Sequence, residues 1–214
     1  MPEHGQASEL SKGGRHDVFR VAFAAAVGGF LFGYDLSIIG AANLYLREQF
    51  NLSAGGMGFA TASAVLGCIP GTLMAGWLCD AIGRKRAMFV ACVLLAVSAI
   101  LTAVAWNMAI FNIFRIVGGI GVGLCSVCSP MYIAEVAPAE RRGGMGLMYQ
   151  MAIVLGAGMA PAVSFLLVGV IADEAVWRWM FGSEMVAILA FMLLLFRLPY
   201  SPRWLAEKGR HDEA

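Results

Sequence analysis

The chain consists of six long apolar stretches separated by short polar or charged clusters. The hydrocarbon core of a bilayer is about 30 Å thick, so a helix needs roughly 20 apolar residues to cross it. Each stretch has about that length, and the pattern therefore predicts six membrane-spanning segments. Their predicted limits are Val21–Leu46, Gly56–Cys79, Ala87–Ala105, Met108–Ala134, Gly144–Ala172 and Trp179–Phe196.

The third and fourth stretches are continuous, because no charged residue lies between Arg86 and Arg115. Together they are too long for one crossing, and Trp106-Asn107 supplies an interfacial aromatic residue followed by a turn former. We therefore expect a tight hairpin there. The stretches lack the alternation of barrel strands, and backbone groups must be paired in lipid, so the spans are predicted to be helices.

The composition supports a membrane protein without a nucleic-acid partner. Hydrophobic residues make up 60% of the chain and charged residues 14%, whereas a soluble domain carries about a quarter charged residues. The formal net charge of +1 leaves no basic excess for nucleic acid.

The histidines and cysteines do not form a pattern that predicts a metal site or a cofactor. All three histidines lie in the polar tails, and the five cysteines lie in or beside apolar stretches, where we expect them to pack. Cys125 and Cys128 form a C-x-x-C, but metal binding would need further ligands. We do not expect an enzyme, because no span carries a histidine or a repeated acidic motif.

The positive residues are distributed unequally between the two sides of the membrane, which predicts the orientation. Only Arg47 and Arg178 fall on one side. The other side receives Lys12, Arg15, Arg20, Arg84, Lys85, Arg86, Arg141, Arg142, Arg197, Arg203, Lys208 and Arg210. We therefore expect a multi-pass protein of the cell membrane with a cytoplasmic N-terminus. Residues 1–20 would be a cytoplasmic polar tail, 21–198 the six-helix bundle and 199–214 the start of a cytoplasmic linker helix.

Three ionisable residues lie inside the predicted spans: Asp35, Arg115 and Glu184. A charge at membrane depth costs at least a few kcal/mol and usually faces a partner or a water-filled path. Asp35 and Arg115 lie at similar depths and form a candidate pair. Two interpretations stay open: Asp35 exchanges Arg115 for a transported proton, or the two form a static salt bridge. Glu184, nearer the outer end, is expected to be solvated or locally hydrogen-bonded.

The fourth span contains a glycine-rich run from Gly118 to Gly123. Gly119 and Gly123 have the small-xxx-small spacing that predicts close helix packing. The run does not match a dinucleotide-binding motif, because Leu124 occupies the position of the last glycine.

The loop after the second span carries a recognisable motif, GWLCDAIGRKR from Gly76 to Arg86. It resembles the G-x-x-x-D-x-x-G-R-[KR] signature of the major facilitator superfamily. The resemblance implies an all-α membrane protein whose six transmembrane helices form the N-terminal bundle of a two-bundle fold. It also implies that Gly76, Asp80, Gly83 and Arg84 belong to a cytoplasmic gate that locks the two halves together.

Further stretches resemble the sugar porters within that superfamily. They are GGFLFGYD ending at Asp35, RIVGG beginning at Arg115, PMYIAE ending at Glu135 and followed by Arg142-Gly143, and SPRWL beginning at Ser201. The resemblance implies transport of a sugar coupled to protons, with Asp35 and Arg115 as the coupling pair. It places Gln150 and Phe32 at the sugar, and Glu135 and Arg142 in the cytoplasmic charge network.

Two residues depart from the sugar-porter pattern. Ala157 occupies the position of a second sugar-binding glutamine, so the ligand can differ from a common hexose or pentose. Tyr200 replaces the glutamate of the Pro-Glu-Ser-Pro-Arg motif, which is expected to weaken the network of Arg142 and Glu135.

The resemblance covers only the first of the family's two halves, and most sugar contacts come from the second. We expect a fragment or truncated product that lacks the C-terminal six-helix half; a split transporter and a homodimer remain alternatives. A passive carrier, a carrier of another organic solute and a non-transporting sugar sensor also stay open.

Overall fold

The computed structural model describes residues 3–210, with side chains for residues 23–172 and 175–210. Seven α-helices make up most of this part of the chain, and it contains no strand. They are α1 Glu3–Gln49, α2 Ala54–Ile82, α3 Arg84–Ala103, α4 Met108–Val136, α5 Arg142–Val168, α6 Asp173–Arg197 and α7 Pro202–Glu207. Six of the described helices are long and apolar enough to cross a membrane. The predicted all-α, six-span fold is thereby confirmed.

The first helix extends further than the predicted span. Its backbone is helical from Glu3, so the segment predicted to be a polar tail begins within the same helix. The part of α1 that could cross a membrane starts at Phe23.

The sixth helix begins at Asp173, six residues before the predicted start at Trp179. The prediction avoided Arg178, because a charged residue normally ends an apolar span. In the structure the Arg178 guanidinium donates to the carbonyl oxygens of Ala103, at 2.9 Å, and Ala105, at 3.0 Å. Arg178 therefore lies within α6 and satisfies carbonyl groups at the end of α3, where a helix leaves its last carbonyls unpaired.

Small residues allow the helices to approach each other closely. Helix α2 packs along α4, and α1 packs along α5. A Cβ atom on Gly119 would meet the carbonyl oxygen of Ala64, and one on Gly123 would lie 2.5 Å from the carbonyl oxygen of Cys68. The close packing predicted from the spacing of these two glycines is confirmed.

The loops define two ends of the bundle. The α7 end holds the α2–α3 loop, the α4–α5 loop and α7, whereas the far end holds the other three loops. At the far end Asn107 caps α4 by accepting a hydrogen bond of 2.9 Å from the Ile110 N–H, and the neighbouring Trp106 side chain is 72% exposed. The hairpin predicted at this position is therefore present.

The helices differ greatly in how much of their surface the bundle covers. Within their most apolar windows, 61% of residues in α1 are buried but only 17% in α5. The exposed face of α5 is apolar and includes Leu147, Met151, Val154 and Phe165. Helix α1 thus lies inside the bundle, whereas α5 presents an apolar face to its surroundings.

Candidate functional site

Asp35 of α1 and Arg115 of α4 form a buried ion pair at the centre of the bundle. Each residue is 1% exposed. The Nη1 of Arg115 donates to Asp35 Oδ1, and its Nη2 donates to the Asp35 backbone carbonyl at 3.1 Å. The guanidinium therefore binds both the side chain and the backbone of α1. Arginine suits this role because its donors are fixed in a planar fork.

Helix α6 contributes an aromatic ring to the same site. The Phe181 ring centre lies 5.3 Å from Arg115 Cζ, within the range of a cation–π interaction. Phe111 of α4 packs edge-to-face on Phe181, with ring centres 5.3 Å apart. The buried guanidinium thus lies against one aromatic ring, which a second ring supports.

Glu184 belongs to this buried cluster, and the predicted alternative of a solvated group near the outer end is wrong. It is 2% exposed, and its carboxyl group lies close enough to Asp35 and Arg115 to interact electrostatically with both. Asp35 Oδ2 and Glu184 Oε1 have no donor among the described residues. The site therefore holds two buried acids, each with an oxygen free to take a proton, next to one fixed cation.

Tyr34 and Ser183 form a second polar link between α1 and α6. Their hydroxyl oxygens are 2.6 Å apart, and each residue is adjacent in sequence to an acid of the cluster, Asp35 or Glu184. Neither Tyr34 nor Ser183 is among the predicted site residues. The signal was available in the Ser183-Glu184 pair, two polar residues inside an apolar span.

The residues predicted to contact substrate lie on the α1–α5 contact, between the acidic cluster and the α7 end. Gly29 of α1 packs on Tyr149 of α5, the residue before Gln150, and Phe32 lies about one turn further along α1. Gln150 is exposed and Phe32 is half-buried. Gly156 packs on the backbone of Phe30 and Tyr34, close to Asp35 in α1. Gln150, six residues earlier in α5, therefore lies about 9 Å along the helix axis from this contact.

Three of the predicted gate residues meet at the α7 end. Arg84 Nη2 lies 2.9 Å from Glu135 Oε1, and its Nη1 lies 3.4 Å from Asp80 Oδ1. The side chains of Arg84 and Glu135 are each 6% exposed, whereas that of Asp80 is 72% exposed. Ser201 donates a hydrogen bond to Glu135 Oε2. An ion pair thus joins the start of α3 to α4, and a hydrogen bond joins α4 to the start of α7.

The other predicted gate residues lie apart from this ion pair. Gly83 has a φ of +88°, a conformation that favours glycine, and forms the α2–α3 turn. Gly76 faces open space. Arg142 makes no ion pair within the described residues, and its Nη2 donates to the Ala137 carbonyl at 3.5 Å. The structure therefore does not bring Arg142 to Glu135.

The cysteines pack inside the bundle, and all five are free thiols. Cys79 of α2 and Cys128 of α4 have their sulfur atoms 2.9 Å apart. Within the described part of the chain, no three His, Cys, Asp or Glu side chains are grouped so that they could hold a metal ion.

Comparisons with known proteins match the whole bundle. A family model described as "Sugar (and other) transporter" matches residues 21–214. The chain is 35% identical to the D-xylose-proton symporter of Escherichia coli K12 over 92% of its length, and 35% identical to the arabinose-proton symporter of Bacillus subtilis over 92%.

A solved structure gives the same result for the fold. The proton:xylose symporter XylE of E. coli, bound to 6-bromo-6-deoxy-D-glucose, superposes with a TM-score of 0.89 at 34% identity. The match covers 93% of this chain but 48% of XylE. The chain likewise covers 46% of the xylose symporter and 43% of the arabinose symporter. It therefore spans about half the length of the relatives it matches.

Proposed function

This chain belongs to the sugar (and other) transporter family of the major facilitator superfamily, and we propose that it is the N-terminal half of a proton-coupled sugar symporter. The observation that carries the proposal is the buried cluster of Asp35, Arg115 and Glu184. A buried, protonatable site beside a cation is the arrangement that a proton carrier requires.

The charge balance of the cluster supports proton binding. With both acids ionised, Asp35, Arg115 and Glu184 carry a net charge of −1, and one bound proton makes the cluster neutral. Burial in an apolar bundle disfavours a net charge. Binding and release of one proton therefore switch the cluster between two charge states, and each state favours a different arrangement of α1, α4 and α6.

The assignment of a sugar rests on the relatives and on two residues of this chain. The matched relatives are named as symporters of xylose, arabinose and galactose. Gln150 offers an exposed amide that can both donate to and accept from sugar hydroxyls, and Phe32 offers an apolar surface on the neighbouring helix. The amide and the ring are suited to a small polyhydroxylated solute.

A second bundle would complete the substrate path. The relatives of this chain are about twice as long. The apolar face of α5, where Met151 and Phe165 are exposed, is available to such a bundle. With the α7 end in the cytoplasm, Asp80 and Arg84 would meet the second half there. Asp80 is the exposed member of that pair, so it is the residue placed to cross the interface.

The test is uptake by proteoliposomes that contain this chain co-expressed with a matched second six-helix half. Radiolabelled D-xylose, L-arabinose and D-galactose are supplied outside, with an imposed pH gradient that is alkaline inside. We expect at least one sugar to accumulate above equilibrium, and a protonophore to abolish the accumulation.

The variant Asp35→Asn separates coupling from transport. It keeps the size of the side chain but cannot carry the proton, so accumulation should fall to equilibrium while sugar exchange across the membrane persists. Glu140→Gln removes an exposed acid of the α4–α5 loop and serves as the matched control. Accumulation by Asp35→Asn equal to that of the unmodified chain would mean that Asp35 does not carry the proton and that it forms a static salt bridge with Arg115.

A further inference from the structure

Tyr200 lies in the connection between α6 and α7 and contacts two consecutive cations. Lys85 Nζ is 5.1 Å from the centre of its ring, and Arg86 Cζ is 5.6 Å from it. Both distances are within the range of about 6 Å at which a cation is attracted to an aromatic face. One neutral ring therefore holds the positive start of α3.

The Tyr200 ring also contacts α7, because it stacks on Trp204. The two rings stack with centres 6.0 Å apart and an angle of 25° between their planes. Trp204 is buried and covers Gly83, on which an added Cβ would lie 3.1 Å from the indole. The indole N–H donates to the Asp80 carbonyl at 3.3 Å. Helix α7 thus contacts both sides of the α2–α3 turn.

Lys85 is held from a second direction. Its ammonium group donates to the backbone carbonyl of Leu198, at 2.6 Å, just beyond the end of α6. This hydrogen bond already holds the Lys85 ammonium group beside the segment that leads to Tyr200. The cation–π contact therefore loses less side-chain entropy than most surface contacts, in which a mobile side chain has to be ordered.

We propose that Tyr200 is a positioning residue that docks α7 on the α2–α3 loop, by holding Lys85 and Arg86 on its ring and stacking on Trp204. The docking uses cation–π contacts rather than an ion pair. A carboxylate at this position would attract the same cations through its net charge, which salt screens. The tyrosine ring has no net charge and acts only at contact distance. The docking is independent of the solute carried, whereas its effect on gating rests on the proposed function.

The length of α7 makes the docking measurable. Helix α7 has six residues, and helices that short are not stable in water without tertiary contacts. The N–H groups of Leu205 and Lys208 are bonded to the carbonyls of Ser201 and Trp204. Hydrogen exchange of these amides therefore reports how often α7 leaves the loop.

The experiment is hydrogen–deuterium exchange on the purified chain in detergent, followed by mass spectrometry of the α7 peptide. Two exposed cation–π contacts of about 0.5–1 kcal/mol each correspond to about a tenfold change in equilibrium. We expect Tyr200→Leu to accelerate α7 exchange about tenfold. Tyr200→Phe keeps the ring face and should exchange at the rate of the unmodified chain. The acceleration in Tyr200→Leu would then come from the loss of the ring and not from the loss of the hydroxyl group.

A second variant tests the cation without changing the ring. Arg86→Gln removes one exposed positive charge and should accelerate α7 exchange about threefold, half the logarithmic effect of losing both contacts. Arg141→Gln removes an exposed cation of the α4–α5 loop at the same end and should have no effect. Unchanged exchange in Arg86→Gln, or equal acceleration in Tyr200→Phe and Tyr200→Leu, would overturn the proposal.

Salt distinguishes docking by the ring from docking by a carboxylate at the same position. We expect Tyr200→Glu to protect α7 at about 0.1 M salt and to lose protection at about 1 M, as the Debye length falls from about 10 Å to about 3 Å. The unmodified chain should change little over the same range. A salt dependence in the unmodified chain equal to that of Tyr200→Glu would contradict docking by the ring. These measurements use neither sugar nor a proton gradient, so they remain valid if the symport proposal fails.

Discussion

A single guanidinium serves two carboxyl groups at the centre of the bundle. Arg115 binds Asp35 directly, and Asp35 in turn faces Glu184. Breaking a buried ion pair by removing one partner is costly, because the other charge is left without compensation. The two acids therefore depend on Arg115 far more than a surface pair would.

The variant Arg115→Met should lower the free energy of unfolding by about 3–5 kcal/mol, since it leaves the Asp35 carboxylate buried alone. Adding Asp35→Asn to Arg115→Met should recover part of this loss, because the uncompensated charge is gone. Thermal unfolding in detergent of the two single variants and the double variant completes the cycle. If the effects of the two single changes simply added, Asp35 and Arg115 would not be coupled.

The sequence predicted the cluster in part. Asp35 and Arg115 could be paired because both depths follow from counting residues along an apolar helix. Glu184 could not be placed, because the predicted span began at Trp179 and left it near the outer end. In the structure α6 begins at Asp173, so Glu184 lies about 16 Å inside the helix. The sequence misplaced Glu184 because it does not reveal the tertiary hydrogen bonds that allow Arg178 to lie within α6.

Close contact between helix backbones is the main packing device at the level of the elements. On α5, Gly156 lies against α1, where a Cβ would meet the carbonyl oxygen of Phe30. Gly158, two residues further, faces open space. The sequence predicted the equivalent contact of Gly119 and Gly123 but not the contact of Gly156. Helix α5 has several small residues, and only the position of α1 shows which of them lie at the contact.

The pair Gly156→Ala and Gly158→Ala tests this contact on one helix. Gly156→Ala should destabilise the bundle by about 1–3 kcal/mol, because the added methyl forces α1 and α5 apart. Gly158→Ala should be neutral or stabilise by up to about 1 kcal/mol, because alanine favours the helix. Thermal unfolding in detergent measures both. Equal unfolding temperatures for the two variants would mean that α1 and α5 are not in close contact.

For the whole molecule, the orientation in the membrane follows from the distribution of positive charge and remains a prediction. The α7 end carries Arg84, Lys85, Arg141 and Arg142, whereas Arg47 and Arg178 lie at the far end. Positive residues are retained on the cytoplasmic side. The gate residues and α7 are therefore expected to face the cytoplasm, and the α3–α4 hairpin the outside.

Cysteine labelling of intact cells tests this orientation. Trp106 and Glu140 are exposed loop residues at opposite ends of the bundle, while four of the five native cysteines are buried. A membrane-impermeant maleimide should label Trp106→Cys in intact cells and Glu140→Cys only after the membrane is opened. Labelling of Glu140→Cys alone in intact cells would reverse the predicted orientation.

The central claim is that the cluster of Asp35, Arg115 and Glu184 carries the proton that drives sugar transport. Its most direct test is the proton movement itself, followed with a pH-sensitive dye inside proteoliposomes that contain this chain and its matched second half. Addition of the transported sugar outside, without an imposed gradient, should acidify the interior, and Asp35→Asn should abolish the acidification while radiolabelled sugar still enters. Acidification by Asp35→Asn at the rate of the unmodified protein would contradict the account.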